Sequence, residues 1–210
     1  MLTKEYELLI PFLKEPWKRY TFKDIKKLCK KTSESYVYNS IKKYVKENIL
    51  TAENAGNVIL YSLNLDETKT QIYAGFISEY SAWRTKYLPY DVIKKVIEKI
   101  PTTYFTFIIT GSYAKNKQKE TSDIDIVIIV DDKQDTKHIR AQINYACELS
   151  IPQGHPYVFK KFEFLQMLLN NDANYGKEIA KNNLIIHGGS EYFQIIHEAL
   201  KNGFNDKKLS

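Results

Sequence analysis

Cysteine is scarce in this chain of 210 residues: Cys29 and Cys147 are its two cysteines, and each lies alone in a helical pattern. This argues against a disulfide scaffold or a cysteine metal site, and both residues are expected to be reduced core residues of a cytoplasmic protein. No apolar run approaches the ~20 residues that a membrane span needs. The N-terminal stretch MLTKEYELLIPFLK has charges within its apolar run and no small-residue cleavage site, so no signal peptide is expected.

Glycine and proline are also infrequent, at 8 and 6 residues. No Gly/Ser-rich, low-complexity or repeated segment divides the chain, so a loose linker between domains is not expected. Hydrophobic residues make up 43% and charged residues 27% of the sequence, which is ordinary globular usage and argues against disorder.

The positive charge of the sequence is concentrated in its N-terminal third. The net charge is +6, and residues 1–65 carry 12 Lys and Arg against 7 Asp and Glu, a balance of +5. Residues 66–210 carry 19 against 18, a balance of +1. A basic excess confined to one region is typical of a module that contacts a polyanion, so the charge supports a polyanion partner for the N-terminal third.

Residues 1–65 are expected to form three helices followed by a β-hairpin. The first helix is predicted at 5–13, while Thr21 is suited to cap the second helix and Ser33 the third. The stretch ILTAENAGNVILYSL then predicts two strands around a turn at 54–57. This order resembles the winged helix-turn-helix family, in which the third helix enters the major groove of DNA.

The solvent side of the predicted third helix carries hydroxyl, amide and ammonium groups that suit base edges and phosphates. DNA is the expected ligand and RNA the alternative. The same face also fits a protein-interaction module, because winged helices pair proteins as well and this face lacks arginine. The expected nucleic-acid-binding residues are Ser35, Tyr38, Asn39, Lys42, Lys43 and Lys46.

Two connecting helices and an α/β domain are expected after the N-terminal third. Residues 66–102 predict two stiff helices, the first of them capped by Asp66. From 103 to 210 short strands alternate with helices, which predicts an α/β domain whose last helix is capped by Ser190. The expected apolar face of the first connecting helix consists of Ile72, Tyr73, Phe76, Ile77 and Tyr80.

Two carboxylates begin the apolar strand DIDIVIIV of this domain. Side chains alternate along a strand, so Asp123 and Asp125 share one face and lie about 6–7 Å apart. They repel each other and are costly to desolvate, and a hard cation such as Mg²⁺ resolves both problems. Gly111 and Ser112 end the preceding strand, where a glycine admits a phosphate and a helix start attracts anions. Lys115, one turn further on, is expected to meet a phosphate, so these residues predict a site for a nucleoside triphosphate and a metal.

The segment GSYAK…SDIDI resembles the minimal nucleotidyltransferases of the DNA polymerase beta superfamily, whose mark is Gly-Ser, a spacer of this length and Asp-x-Asp. The resemblance implies an α/β (α+β) fold with a mixed sheet flanked by helices, preceded here by the small winged helix-turn-helix domain. It implies that Gly111 and Ser112 hold the triphosphate, and that Asp123 and Asp125 are catalytic and bind Mg²⁺ (or Mn²⁺). The implied reaction moves a nucleotidyl group from a nucleoside triphosphate to an acceptor hydroxyl. A plain turn at Gly-Ser, with aspartates at a solvent edge, is the alternative interpretation.

One part of the family's pattern is missing from the sequence. Catalytic members have a third carboxylate on a neighbouring strand, whereas the strand expected here, HPYVF, contains no acid. The nearest acid is Glu163, expected in the following helix, and His155 can take a proton but is a poor ligand for Mg²⁺. Slow transfer that depends on the right acceptor is therefore expected, with nucleotide binding without turnover as the alternative.

Three functions follow from these patterns. The first is a nucleotidyltransferase whose acceptor is a protein side chain, as in antitoxins that modify partner toxins, or a small molecule or RNA. The second is a winged-helix transcriptional regulator whose transferase-like domain only binds nucleotide. The third is a structural interaction protein, which the intact Asp-x-Asp disfavours.

Overall fold

The structure is a computed structural model that describes residues 4–209. Short 3₁₀ helices lie at Lys4–Leu8 and Asp206–Leu209. None of the described helices is both long and apolar enough to cross a membrane, and the two cysteines are unpaired. The α-helices are α1 (Ile10–Lys14), α2 (Phe22–Leu28), α3 (Glu34–Lys46), α4 (Thr68–Ala82), α5 (Tyr90–Ile97), α6 (Gly111–Ala114), α7 (Thr136–Glu148), α8 (Lys161–Leu169), α9 (Tyr175–Lys181) and α10 (Gly189–Lys201). The strands are β1 (Tyr20–Thr21), β2 (Leu50–Ala55), β3 (Val58–Leu63), β4 (Phe105–Thr110), β5 (Ile124–Val130), β6 (Gly154–Lys160) and β7 (Leu184–His187).

A mixed four-stranded sheet with the strand order β6-β5-β4-β7 forms the centre of the C-terminal part. Strand β4 pairs antiparallel with β5 and with β7, whereas β5 and β6 run parallel. Both faces of the sheet are covered by helices, which explains why β5 is almost continuously apolar. The predicted mixed sheet flanked by helices is confirmed.

Each face of this sheet packs against its own hydrophobic cluster. Ile124, Ile126 and Ile128 of β5 join the cluster that contains α5 and α7. Val127 and Ile129 point to the other face and join the cluster that contains α8, α9, α10 and the N-terminal helices. The N-terminal part is therefore anchored to the sheet through packed helices.

In the N-terminal part, α1, α2 and α3 accompany a three-stranded antiparallel sheet with the order β1-β3-β2. Two predicted helix caps are confirmed, because Thr21 Oγ1 accepts a hydrogen bond from Asp24 N and Ser33 Oγ accepts one from Tyr36 N. The predicted hairpin is formed by β2 and β3. The single first helix that the sequence predicts is instead a 3₁₀ turn followed by α1, and Pro11 near the start of α1 has no N–H to continue a longer helix.

Helix α4 crosses the start of α10 at two glycines. A Cβ on Gly75 would lie 2.3 Å from the backbone N of Ser190, and a Cβ on Gly189 would lie 2.7 Å from the Cα of Gly75. The Gly189 N–H also donates to Glu79 Oε1 at 2.7 Å. The two backbones therefore touch directly, without intervening side chains.

This crossing makes the predicted apolar face of α4 partly wrong. Ile72 and Phe76 are 57% and 53% exposed, whereas the smaller Ala74 and Gly75 are buried with Ile77. The face of α4 that turns inward is set by the need for close backbone approach at Gly75. Hydrophobic periodicity alone does not reveal that need.

Two other helix starts differ from the prediction. Asp66 does not cap α4, and its Oδ1 lies 2.8 Å from His197 Nε2 instead. Helix α10 begins after Gly188, whose φ of 72° favours glycine, so Ser190 lies inside the helix. Helix α9, capped by Asn174, is not among the predicted helices.

Gly75→Ala is expected to destabilise the protein by about 3 kcal/mol, because the added methyl group forces α4 away from the backbone of α10. The midpoint of urea unfolding, followed by circular dichroism, measures the loss. Ile72→Ala is the matched control on the exposed side of the same helix and should change stability by less than about 0.5 kcal/mol. An unchanged midpoint for Gly75→Ala would show that the two helices do not touch at this position.

Candidate active site

One edge of the mixed sheet brings together the ends of all four strands. Strand β4 ends there at Thr110, and β5 and β7, which run antiparallel to it, begin there at Ile124 and Leu184. Strand β6 runs parallel to β5 and begins at the same edge, at Gly154. Segments distant in sequence therefore meet in one region, as is common for binding sites on a rigid sheet.

The two aspartates singled out by the sequence lie at this edge. Asp125 lies in β5, opposite Thr110 on one side and His155 on the other, and Asp123 comes just before the strand. Burial raises the pKa of Asp125, the charge of His155 opposes that shift, the charge of Asp123 adds to it, and Lys115 opposes it weakly. A carboxylate whose charged form is disfavoured by burial and by a like charge gains stability when a cation binds nearby.

The structure gives a reason for a glycine at position 111 that the sequence does not show. Its φ is +66°, and a Cβ at this position would lie 2.0 Å from Oδ2 of Asp125. The missing side chain therefore makes room for the Asp125 carboxylate, in addition to the phosphate access expected from the sequence. Ser112 follows directly in α6, which packs against β4 and β5, so both predicted triphosphate residues lie beside the aspartates.

Lys115 is held by an ion pair that the sequence does not predict. Its Nζ lies 2.5 Å from Oε1 of Glu178, and the two side chains are 38% and 43% exposed. Glu178 belongs to α9, so this helix forms a further wall of the region. The expected contact of Lys115 with a phosphate therefore requires Lys115 to leave Glu178.

Strand β6 places a histidine at this edge of the sheet. His155 is opposite Asp125, and its Nε2 lies 3.6 Å from Oδ2 of Asp123. The strand contains no acid, as the sequence predicts. Glu163 cannot replace the missing acid, because it follows the far end of β6, about 16 Å along the strand from His155. Its Oε2 accepts a hydrogen bond from Lys160 N at 2.8 Å and so caps α8.

The donor groups of the site fit a metal ion that arrives with a phosphate ligand. Among residues 4–209, no three His, Cys, Asp or Glu side chains are arranged to hold a metal by themselves. Asp123 and Asp125 offer two carboxylates, and the Asp123 side chain is 47% exposed and accessible. Mg²⁺ commonly binds through one or two carboxylates and takes its other ligands from water and phosphate oxygens.

An aromatic pair lies beside the aspartates and was not predicted from the sequence. The ring centroids of Tyr175 and Tyr157 are 4.8 Å apart. Burial raises the pKa of Tyr175, and the charge of Asp125 adds to the shift. The buried Tyr175 hydroxyl has no hydrogen-bond partner among the described residues, so it is available to a bound ligand. Asn174, which caps α9, is the sequence signal that could have revealed this helix.

Residues 92–192 match the sequence profile of the family described as Polymerase beta, Nucleotidyltransferase (Polbeta). The chain therefore contains a domain similar to the polymerase beta nucleotidyltransferases. The match covers just under half of the chain, and it includes Asp123, Asp125, Gly111 and Glu178. The N-terminal part lies outside it.

Two further comparisons add little to this result. A solved structure described as "Crystal structure of the toxin-antitoxin with AMP-PNP" is 16% identical, with a TM-score of 0.38, over 54% of this chain and 89% of that chain. A TM-score this low supports no conclusion about fold or partner. Among curated proteins, none matches the chain with statistical significance.

Outside the matched residues 92–192, α3 presents the polar face that the sequence predicts. One of its lysines is not free, because Lys43 Nζ lies 2.9 Å from Glu5 Oε2. The remaining side chains of this face are open to solvent and accessible to a large ligand. All six predicted residues are exposed, namely Ser35, Tyr38, Asn39, Lys42, Lys43 and Lys46.

Helix α2 and the turn after it add lysines that the sequence-based prediction did not include. Lys26 is paired with Glu34 at 2.5 Å, and Lys31 is paired with Glu7. These lysines lie along a groove next to the start of α3 and extend its positive surface. Three more lysines of the groove form no ion pair with the described residues, namely Lys23, Lys27 and Lys30.

Proposed function

We propose that the protein is a magnesium-dependent nucleotidyltransferase that moves a nucleotidyl group from a nucleoside triphosphate to an acceptor hydroxyl. The observation that carries this proposal is the position of Asp123 and Asp125 at the sheet edge, with Gly111 directly against Asp125, inside the matched domain. In this reaction the acceptor oxygen bonds to the α-phosphorus. The bond from the α-phosphorus to the bridging oxygen breaks, and pyrophosphate leaves.

Each residue of the site has a proposed task. Asp123 and Asp125 hold Mg²⁺ or Mn²⁺, and such an ion, when bound, activates the acceptor oxygen and neutralises the leaving pyrophosphate. Ser112 donates its hydroxyl to the triphosphate. Lys115 leaves Glu178 and pairs with a phosphate. A contact between an ammonium group and a phosphate oxygen is a charge-assisted hydrogen bond, which is stronger than a neutral one.

Strand β6 has no carboxylate that could take the proton of the acceptor hydroxyl. His155, whose Nε2 is 3.6 Å from Asp123, is the side chain of β6 at this edge that can take a proton, and solvent is the other route. A nitrogen ligand suits Mg²⁺ poorly, so His155 would not replace the missing carboxylate as a metal ligand. We therefore infer slow transfer that depends on the right acceptor.

The test begins with calorimetric titrations of the full chain with each nucleoside triphosphate, with and without Mg²⁺. Candidate acceptors, namely proteins, small molecules and RNA, are then incubated with the chain and the bound triphosphate. Mass spectrometry should show an acceptor that gains the mass of a nucleoside monophosphate. Triphosphate binding that does not respond to metal would contradict the proposed site.

Gly111→Ala is expected to weaken metal-dependent triphosphate binding by at least about tenfold. The new methyl group would overlap Oδ2 of Asp125, and a φ of +66° adds about 1–2 kcal/mol of strain for alanine. Calorimetric titration with Mg²⁺ and triphosphate measures the loss. Gly203→Ala is a control with a similarly positive φ and open space around it, and its nucleotide affinity should equal that of the wild type. Equal affinity for Gly111→Ala would show that Asp125 does not need this space.

We further propose that residues 1–65, described from residue 4 onward, act as a winged helix-turn-helix that binds nucleic acid. Its support is the element order α1, β1, α2, α3, β2, β3, the exposed polar face of α3 and the lysines of α2. Duplex DNA is the first candidate, RNA the second, and a protein partner is the alternative use of the same face.

A winged-helix transcriptional regulator that only senses nucleotide is the second candidate function. The absence of an acid on β6 favours it, because no carboxylate of that strand is available to take the acceptor's proton. Pyrophosphate release in the presence of nucleic acid separates the two functions, since the sensor binds triphosphate without releasing pyrophosphate. Both functions fit a cytoplasmic protein, in which unpaired Cys29 and Cys147 stay reduced.

A further inference from the structure

Helix α9 contributes a carboxylate, Glu178, that forms an ion pair with Lys115, the lysine of the proposed phosphate site. We propose that Glu178 competes with the triphosphate for Lys115, so that nucleotide binding begins with the exchange of one anion for another. This inference rests on the proposed binding of a nucleoside triphosphate beside Gly111 and Ser112. It assigns Glu178 as a positioning residue that lowers the affinity for nucleotides whose outer phosphates reach Lys115.

The contact itself is direct and joins two elements that are far apart in sequence. Lys115 Nζ and Glu178 Oε1 are 2.5 Å apart, across 63 positions of the chain. Lys115 also ends the short helix α6 that begins at Gly111, and its backbone N–H donates to the carbonyl of Gly111 at 3.2 Å. Lys115 is thus shared between Glu178 and the candidate phosphate site.

Lys115 is the partner that we expect to move, because the backbone of α9 is held by its surroundings. Gly176 approaches α8 so closely that a Cβ would lie 2.5 Å from Cβ of Met167. The buried Lys177 donates to the carbonyl of Asn171 at 3.1 Å, and Ile179 is fully buried. A helix held in this way keeps Glu178 in place, whereas the long lysine side chain can change its rotamer without moving the backbone.

Glu178 also keeps a partner when the lysine leaves. Asn182 Nδ2 lies 3.5 Å from the same Oε1 atom, one turn further along the chain. The carboxylate is partly exposed, so water can replace the remaining contact with Lys115. The exchange therefore leaves no charge buried without a partner, which would otherwise make it very costly.

The charge of the incoming ligand decides the competition. A terminal phosphate of a triphosphate carries more negative charge than the single carboxylate of Glu178 and offers more acceptor oxygens to the ammonium group. A nucleoside monophosphate lacks the outer phosphates that would reach Lys115. The ion pair should therefore lower the affinity for polyphosphates, which must displace Glu178 from Lys115, and leave the affinity for monophosphates unchanged.

Glu178→Gln tests the proposal, because glutamine keeps the size of the side chain and removes the competing charge. Triphosphate affinity in Mg²⁺, measured by calorimetry, should increase about two- to fivefold, the range that a partly exposed ion pair supports. Affinity for the corresponding monophosphate should not change. In a Lys115→Gln background, Glu178→Gln should have no effect, since no lysine remains to compete for.

Glu198→Gln is the matched control, because Glu198 pairs with Lys161 at 3.2 Å with similar exposure but lies outside the site. It should leave nucleotide affinity unchanged. Unchanged or weaker triphosphate binding by Glu178→Gln, or tightening that persists without Lys115, would overturn this inference while leaving the proposed function intact. A wild-type chain that binds no triphosphate at all would instead overturn the proposed function, and the inference with it.

Discussion

Replacing Asp123 and Asp125 together by asparagine is expected to abolish the metal dependence of triphosphate binding and to reduce nucleotidyl transfer at least about 1000-fold. Asparagine preserves the size of each side chain but removes the two negative charges that attract the ion. Stabilisation of charge by a bound metal is worth several kcal/mol in the transition state, and about 4 kcal/mol corresponds to three orders of magnitude in rate. Asp125 should dominate, since its burial leaves its charge most in need of a cation.

The measurement is a titration of triphosphate binding against Mg²⁺ and Mn²⁺ for the wild type and the double variant. Asp131→Asn combined with Asp132→Asn is the matched control, because these two aspartates follow the opposite end of β5. The control should keep the metal response and the transfer rate of the wild type. A double variant at 123 and 125 that still binds triphosphate more tightly with metal would contradict the assignment of these residues.

The core of the candidate site could be predicted from the sequence because it depends on local geometry. Alternation along a strand fixes Asp123 and Asp125 on one side whatever surrounds the strand, and β5 has the predicted extended form. Gly111 and Ser112 lie at the predicted end of β4 for the same reason. The absence of an acid in β6 was also readable, since it depends only on which residues the strand contains.

The walls of the site could not be predicted because they depend on distant segments meeting. The pair Lys115–Glu178 joins residues 63 positions apart, and no periodicity relates them. The register that places His155 opposite Asp125 and Glu163 at the far end follows from parallel pairing of β5 with β6. Tyr175 was overlooked because α9 is short and its polar sequence gives a weak helical pattern.

The N-terminal part illustrates the same limit. The exposed face of α3 follows from its helical period, so its six polar residues could be listed from the sequence. The neutralisation of Lys43 by Glu5 and the lysine groove along α2 require the packed arrangement of three helices. Those contacts decide how many lysines remain available to a polyanion, and hence how much DNA affinity is lost when the lysines are replaced.

Replacing Lys42, Lys43 and Lys46 together by alanine is expected to weaken duplex DNA binding by the full chain about 100-fold in 0.1 M salt, for all DNA sequences alike. Each lysine–phosphate contact releases a counterion, so each one lost lowers the slope of log K against log salt concentration by about 0.9. Lys43 already has Glu5 as a partner, so the loss should lie nearer to two contacts than to three. Fluorescence anisotropy with labelled duplexes at several salt concentrations measures both quantities.

Two further variants separate phosphate contacts from base contacts and from general surface charge. Asn39→Ala should change the preference among DNA sequences without changing the salt slope, because an asparagine that reads adenine contributes specificity rather than charge. Lys94→Ala, Lys95→Ala and Lys99→Ala together remove the same charge from α5 and the turn after it, outside the N-terminal part, and should leave the slope unchanged. A slope that falls equally for both lysine triplets would indicate unspecific attraction to a basic protein. No binding of DNA or RNA at low salt would indicate that the exposed face of α3 contacts a protein instead, because phosphate contacts are strongest when few counterions compete.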